Sequence, residues 1–141
     1  MKKNLILLFC LAALSLFACE TPDTPITKEQ LPQIAQSFIN LYFNDVQIAY
    51  IQKDNDSYDV KFSNGFEVDF NKKGEWKEVD CQASEVPAGI IPENIRNYVN
   101  ANYNGFFIVQ IGKDHSEYDV ELNKGLELVF DKNGNFKRID D

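Results

Sequence analysis

The chain predicts an α+β fold built as a tandem repeat, each unit being one helix packed on a four-stranded antiparallel sheet. Three features point there. Residues 32–80 match residues 92–140 at a constant offset of 60 without a gap, and 17 of the 49 paired positions are identical. Within each copy an apolar pattern of helical period gives way to one of period two. Glycines shared between the copies, Gly65 with Gly125 and Gly74 with Gly134, cut that second pattern into short segments, as hairpins require. The other identities include Tyr58-Asp59-Val60 with Tyr118-Asp119-Val120 and Phe70 with Phe130. These are strand and core residues, so the repetition reports architecture and not catalysis.

In chain order, Lys2-Lys3 precedes an apolar run from Leu5 to Ala18, then Cys19 and polar Glu20-Thr21-Pro22-Asp23. Residues 1–18 have the make-up of a secretory signal and are short for a membrane-spanning helix. Leu16-Phe17-Ala18-Cys19 resembles the lipobox of bacterial lipoproteins. That resemblance implies cleavage before Cys19 and acylation of its thiol. The mature chain would then sit in the cell envelope, periplasmic or exposed on the outer membrane, touching the membrane only through its N-terminal lipid. Residues 19–26, with two prolines and two threonines, predict a short extended tether.

Cys10 leaves with the signal, so Cys81 remains as the one unmodified cysteine and no intramolecular disulfide can form. The fold must rest on its core. About 115 residues follow the tether, rich in Phe, Tyr, Ile, Val and Leu, enough to bury roughly two-thirds of the unfolded surface. The formal charge is −8, and loss of Lys2 and Lys3 takes it to −10. That balance excludes nucleic acid as a partner, because such binding needs clustered Lys and Arg to release counterions. It also argues against the folded body lying on anionic lipid.

The first repeat spans residues 27–81 and the second 82–141, and the two are expected to form one compact unit, with side-by-side joining of their sheets left open. Leu31, Ile34, Ala35, Phe38, Leu41 and Tyr42 recur at helical spacing with Gln33, Gln36 and Asn40 opposite, which predicts one apolar stripe. Thr27 and Gln30 suit a capping box; alternatively the helix begins later, with Pro32 in its first turn. Ile91, Ile95, Tyr98 and Ala101 repeat the stripe behind Pro92. Strands are expected over residues 46–52, 57–63, 66–71 and 75–80, joined by Asn64-Gly65 and Lys72-Lys73-Gly74 into a meander.

Alternation then assigns faces. Tyr58, Val60, Phe62, Phe66, Val68 and Phe70, with their counterparts 60 residues on, meet the helix. Asp59, Lys61, Glu67, Asp69 and Lys77 in the first unit, and Asp119, Glu121, Glu127, Val129, Lys137 and Ile139 in the second, face away. The charged members of this open face form the candidate site for binding a protein or peptide.

Catalytic and metal chemistry find little support. His115, the single histidine, lies in an expected hairpin turn, and nothing in the spacing places it beside Cys81. Asp54, Asp56 and Asp59 have faintly calcium-loop spacing but lack the glycine and distal glutamate of an EF-hand. Zinc would need several His or Cys ligands. No cofactor, no metal centre and no enzymatic activity are expected, and nothing indicates more than a monomer. A calcium-binding or purely structural envelope protein remains the alternative.

The run Leu31-Pro32, Phe38-Ile39, Tyr58-Asp59-Val60, Asn64-Gly65-Phe66-Glu67-Val68-Asp69-Phe70, Gly74-Glu75-Trp76 and Val79-Asp80 resembles the PepSY-like family of β-lactamase-inhibitor-like proteins. Phe130-Asp131-Lys132-Asn133-Gly134 continues the likeness in the second copy. The resemblance implies a small secreted or lipidated bacterial protein of β-lactamase-inhibitor-protein-like architecture. It further implies a non-catalytic module that grips an exported protein or peptide, and inhibits it where that target is an enzyme, through the open sheet face and neighbouring hairpins.

Overall fold

The computed structural model describes residues 24–140; the expected signal segment 1–18, the expected lipidation residue Cys19, residues 20–23 of the expected tether and Asp141 lie outside the described residues. Within that range the chain runs β1 (Thr24–Ile26), α1 (Gln33–Tyr42), β2 (Ile48–Lys53), β3 (Ser57–Phe62), β4 (Glu67–Asn71), β5 (Trp76–Asp80), α2 (Glu93–Asn102), β6 (Ile108–Lys113), β7 (Glu117–Leu122), β8 (Glu127–Asp131) and β9 (Phe136–Asp140). A short 3-10 turn precedes each helix, Lys28–Gln30 and Ala88–Ile90. Both openings expected for the first helix therefore occur in sequence. Gln30 Oε1 accepts the Thr27 N–H at 2.8 Å over the 3-10 turn, and α1 itself begins after Pro32.

The expected tandem of two helix-on-four-strand units is overturned. Among the described residues the strands form one nine-stranded antiparallel sheet in the order β1 to β9. The halves join where β5 pairs with β6, Glu78 opposite Gly112, Val79 opposite Ile111 and Asp80 opposite Gln110. The Cys81 N–H donates to Val109 O at 2.9 Å and the Val86 N–H to Ile108 O at 2.8 Å, which continues the seam past the strand end. The physical reason is edge satisfaction: an isolated first unit would leave β5 with unpaired N–H and C=O groups. The ninth strand comes from the expected tether, where Ile26 pairs with Ile51 and Thr24 with Lys53.

One core follows from one sheet. Both helices lie on the same face, and Ala35, Ile39, Val60, Phe70, Val79, Cys81, Val86, Ile95, Ile111, Val120 and Phe130 belong to a single buried cluster. Phe38 meets Phe70 edge-on with ring centroids 5.6 Å apart, and Tyr98 meets Phe130 at 5.4 Å. Tyr42 Oη donates to Gly89 O at 3.1 Å, tying α1 to the connector that leads into α2. The expected stripe on α1 is rotated in part. Ile34 and Leu41 are 58% and 70% exposed, whereas Ile39 is buried, so the sheet-facing stripe runs through Leu31, Ala35, Phe38, Ile39 and Tyr42.

Candidate functional site

The register places the open-face side chains in two rows across the strands. One runs Gln52, Asp59, Asp69, Glu78, Gly112, Asp119, Val129 and Arg138. The other runs Tyr50, Lys61, Glu67, Asp80, Gln110, Glu121, Glu127 and Asp140. Gly112 contributes no side chain to the middle of the first row, and the face is hollowed there into a groove of about 560 Å³. Asp69, Lys77, Asp119, Glu121 and Glu127 line it, as the face assignment expects, together with Glu78, Lys113 and Asp140.

The remaining expected residues lie outside the groove. Lys61 pairs with Glu67 at 2.5 Å, and Asp59 stands opposite Asp69. Lys137 bonds the carboxylate of Glu117, which Arg138 also reaches at 3.2 Å. Glu78 is absent from the sequence expectation for a definite reason: β4 and β5 shift register between Asp69 and Phe70. That bulge sets an extra residue on β5 and flips the alternation beyond it. Lys77 and Glu78 therefore both reach the groove, and its counterpart in β9 puts Ile139 opposite Leu128 on the helix side, not on the open face.

Crowding of like charge marks the groove wall. Burial, followed by the carboxylates of Asp59, Glu78 and Glu67, pushes Asp69 up to about 6, with Lys77 opposing. Glu78 is also raised, by burial and then by Asp80, Glu67 and Asp119, although its hydrogen bond from Gln110 opposes the shift. Lys113 is lowered by burial and lies over the Trp76 ring, 3.9 Å from its centroid. A carboxyl raised in the fold binds its proton more tightly there than in the unfolded chain. Its contribution thus falls as pH rises between about 4 and about 6.

Turn carboxylates act with the opposite sign. Asp114 is lowered to about 2 by the N–H groups of Ser116 and Glu117 and the Ser116 hydroxyl, while Asn135 lowers Asp131 and Lys137 lowers Glu117. Their stabilisation is complete above the ordinary carboxylate range and lost as pH falls below it. The melting temperature is therefore expected to rise from about pH 7 to about pH 5 and to drop below about pH 4. Asp69→Asn should flatten the upper limb and add ~1 kcal/mol at neutral pH, the cost of ionising a carboxyl held at about 6, discounted for solvent screening. A melting temperature that declines steadily from neutrality to about pH 5 would contradict the crowding of Asp69.

The acidic turns use their oxygens internally: in the turn with calcium-loop spacing the Asn55 N–H donates to Asp54 Oδ1 at 2.5 Å, and a second turn does the same. Asp131 Oδ1 accepts the N–H groups of Asn133 and Asn135 at 2.8 and 2.9 Å. The neutral Asn71 performs the same task for Lys73 and Glu75 at 2.9 and 3.0 Å, so the arrangement closes a turn and needs no cation. Among the described residues no three His, Cys, Asp or Glu side chains are grouped to hold a metal ion. Cys81 is buried at the seam, where burial pushes its thiol up to about 11. His115 is exposed beyond the other end of β6, so the two form no nucleophile–base pair.

Comparison with known proteins places this geometry. A family model described as "Putative beta-lactamase-inhibitor-like, PepSY-like" matches twice, over residues 19–66 and 56–138. A solved structure of a "putative periplasmic protein" of Bacteroides vulgatus is 41% identical, with a TM-score of 0.82 over 86% of this chain and 98% of that one. A "putative calcium-regulated periplasmic protein" of Bacteroides thetaiotaomicron is 42% identical, with a TM-score of 0.81 over 84% and 97%. A second Bacteroides vulgatus protein, "of unknown function", is 39% identical at a TM-score of 0.81 over 84% and 99%. No curated protein matches. With both halves matched by the family model and a solved relative 41% identical over 86% of the chain, the chain belongs to the PepSY-like family.

Proposed function

We propose that the chain is a non-catalytic binding module of the cell envelope, held through acylated Cys19, whose open sheet face receives a cationic segment of another exported protein or peptide. The periplasmic descriptions of its relatives support the location. The observation that carries the binding role is the groove at the centre of the open face, where Asp69 and Glu78 are crowded by like charge beside Asp119, Glu121 and Glu127. A lysine or arginine entering there relieves repulsion that the fold otherwise tolerates. Inhibition of an exported enzyme would operate through the same face.

The test is binding of a labelled Lys/Arg-rich peptide by fluorescence anisotropy, comparing the natural protein with Asp119→Lys/Glu121→Lys/Glu127→Lys. Affinity at low salt should drop at least tenfold in the variant, and both should weaken as salt rises. Equal affinity in a variant with native circular dichroism would remove the groove from the binding role. Crosslinking in the native envelope with the same pair then identifies the target.

One observation favours a second reading: a relative at 42% identity is described as calcium-regulated. A divalent cation drawn into the groove would likewise relieve the Asp69–Glu78 repulsion. Melting in millimolar calcium, with magnesium as control, separates the two, because a cation bound only by the folded protein raises the transition by mass action. A saturable rise specific to calcium favours regulation by the ion; an unchanged transition favours the polypeptide alone.

A further inference from the structure

We propose that the outer edge of β9 is a self-association surface, on which two copies pair their β9 strands antiparallel about Ile139 and merge their sheets. The argument starts from the inequality of the two sheet edges. β1 covers β2 with Ile26 opposite Ile51 and Pro25 opposite Gln52, and these places correspond by the 60-residue offset to Val79 opposite Ile111 and Glu78 opposite Gly112. β1 thus substitutes for a β5-type neighbour. It is three residues long and carries a proline, both of which blunt an edge. At the other end β9 is the last strand of the sheet, although its counterpart β5 is covered by β6.

The consequence is visible in exposure. Val79 is fully buried at the seam, whereas its counterpart Ile139 is 45% exposed and Phe136 is 36% exposed. The backbone is also oriented for pairing. In β5 the Cys81 N–H points at β6, and because hydrogen-bonding direction alternates along a strand, Val79 points the same way. The equivalent residue in β9 is Ile139, whose N–H and C=O then face outward. Two copies centred there exchange both bonds between Ile139 residues, and the side chains cover one another on the helix side.

Charge selects a second copy as the occupant. The sequence Lys137-Arg138-Ile139-Asp140-Asp141 exchanges sign when read backwards. Antiparallel pairing about Ile139 therefore sets Arg138 against Asp140 of the other copy, twice, on the open face, where opposite charges directly across strands are favourable. Arg138 reaches Glu117 at 3.2 Å and 3.5 Å but is 47% exposed, and its five donors can serve a second carboxylate. A basic strand alone would repel its copy; the acidic half converts that repulsion to attraction. The contact is small by the standard of permanent dimers, so the association is weak and concentration-dependent.

Sedimentation equilibrium of the purified protein between about 10 μM and about 1 mM tests this. The natural protein should shift toward dimer across that range. Arg138→Asp and Asp140→Arg each place like charges opposite one another, so each alone should remain monomeric. An equimolar mixture of the two restores both Arg–Asp pairs and should dimerise again, which shows at once that both variants are folded. A natural protein that stays monomeric to about 1 mM, dimers that persist in both single variants, or a mixture that fails to associate while both variants keep native circular dichroism overturns the proposal. Sedimentation is run without peptide, so its outcome does not depend on whether the groove, which Asp140 also lines, binds one.

Discussion

Phe70→Ala is expected to cost about 3–5 kcal/mol and Phe130→Ala a similar amount toward the lower end of that range. Both rings are fully buried, and each is the contact through which a helix docks on the sheet, Phe38 on Phe70 and Tyr98 on Phe130. Truncation removes transfer free energy and leaves a cavity beneath the helix. The two sites differ in how well they can collapse. Phe70 lies inside the sheet under Phe38, itself braced by Phe43 and Trp76 at 6.2 and 6.4 Å. Phe130 has Phe136 as a neighbour at 5.9 Å, and that ring is partly exposed near the sheet edge and freer to settle inward. Domains of this size have total stabilities of about 5–15 kcal/mol, so Phe70→Ala should sit close to its unfolding threshold. Urea denaturation read as a midpoint shift at constant slope measures the loss; a change below about 1 kcal/mol in either variant would mean that the ring is not a docking contact.

Gly74→Ala is the second large effect, expected at about 2–4 kcal/mol, with Gly134→Ala smaller and Gly125→Ala smaller still. All three glycines close hairpin turns with φ of +89°, +81° and +84°, a conformation that costs a Cβ-bearing residue of order 1–2 kcal/mol. Their surroundings then separate them. A Cβ on Gly74 would stand 2.6 Å from Pro32 Cβ and 3.1 Å from the Ala35 backbone nitrogen, because the first turn of α1 rests on this hairpin. At Gly134 the nearest atom is Asn94 Cβ at 3.1 Å, and at Gly125 nothing lies within 4 Å. The helix start must lift or the turn must open in the first case only. Equal losses at Gly74 and Gly125 in thermal or urea melts would show that the turn conformation alone sets the cost.

What the sequence could disclose about the site was governed by how regular the backbone is. Strict alternation puts Asp69, Asp119, Glu121 and Glu127 on the open face, and it holds along β4, β7 and β8. It fails in β5 and β9, where one extra residue reverses the order, so Glu78 is hidden and Ile139 is placed on the wrong face. No residue type announces that bulge; the register of the neighbouring strand does. Ile34 and Leu41 mislead for a related reason, since periodicity marks which helix positions are apolar but not how the helix rolls on its sheet.

The local units are legible in the residues alone: two helices behind Pro32 and Pro92, hairpins turning at shared glycines, and aromatic residues that meet where helix packs on strand. These follow from interactions between residues close in the chain, which leave periodic traces. The β5–β6 register, the strand β1 within the expected tether and the acidic groove that Gly112 opens at the seam come from the folded chain. Those outcomes depend on backbone hydrogen bonds between distant edges. Every N–H and C=O is alike whatever side chain it carries, so such pairing writes no pattern into the sequence.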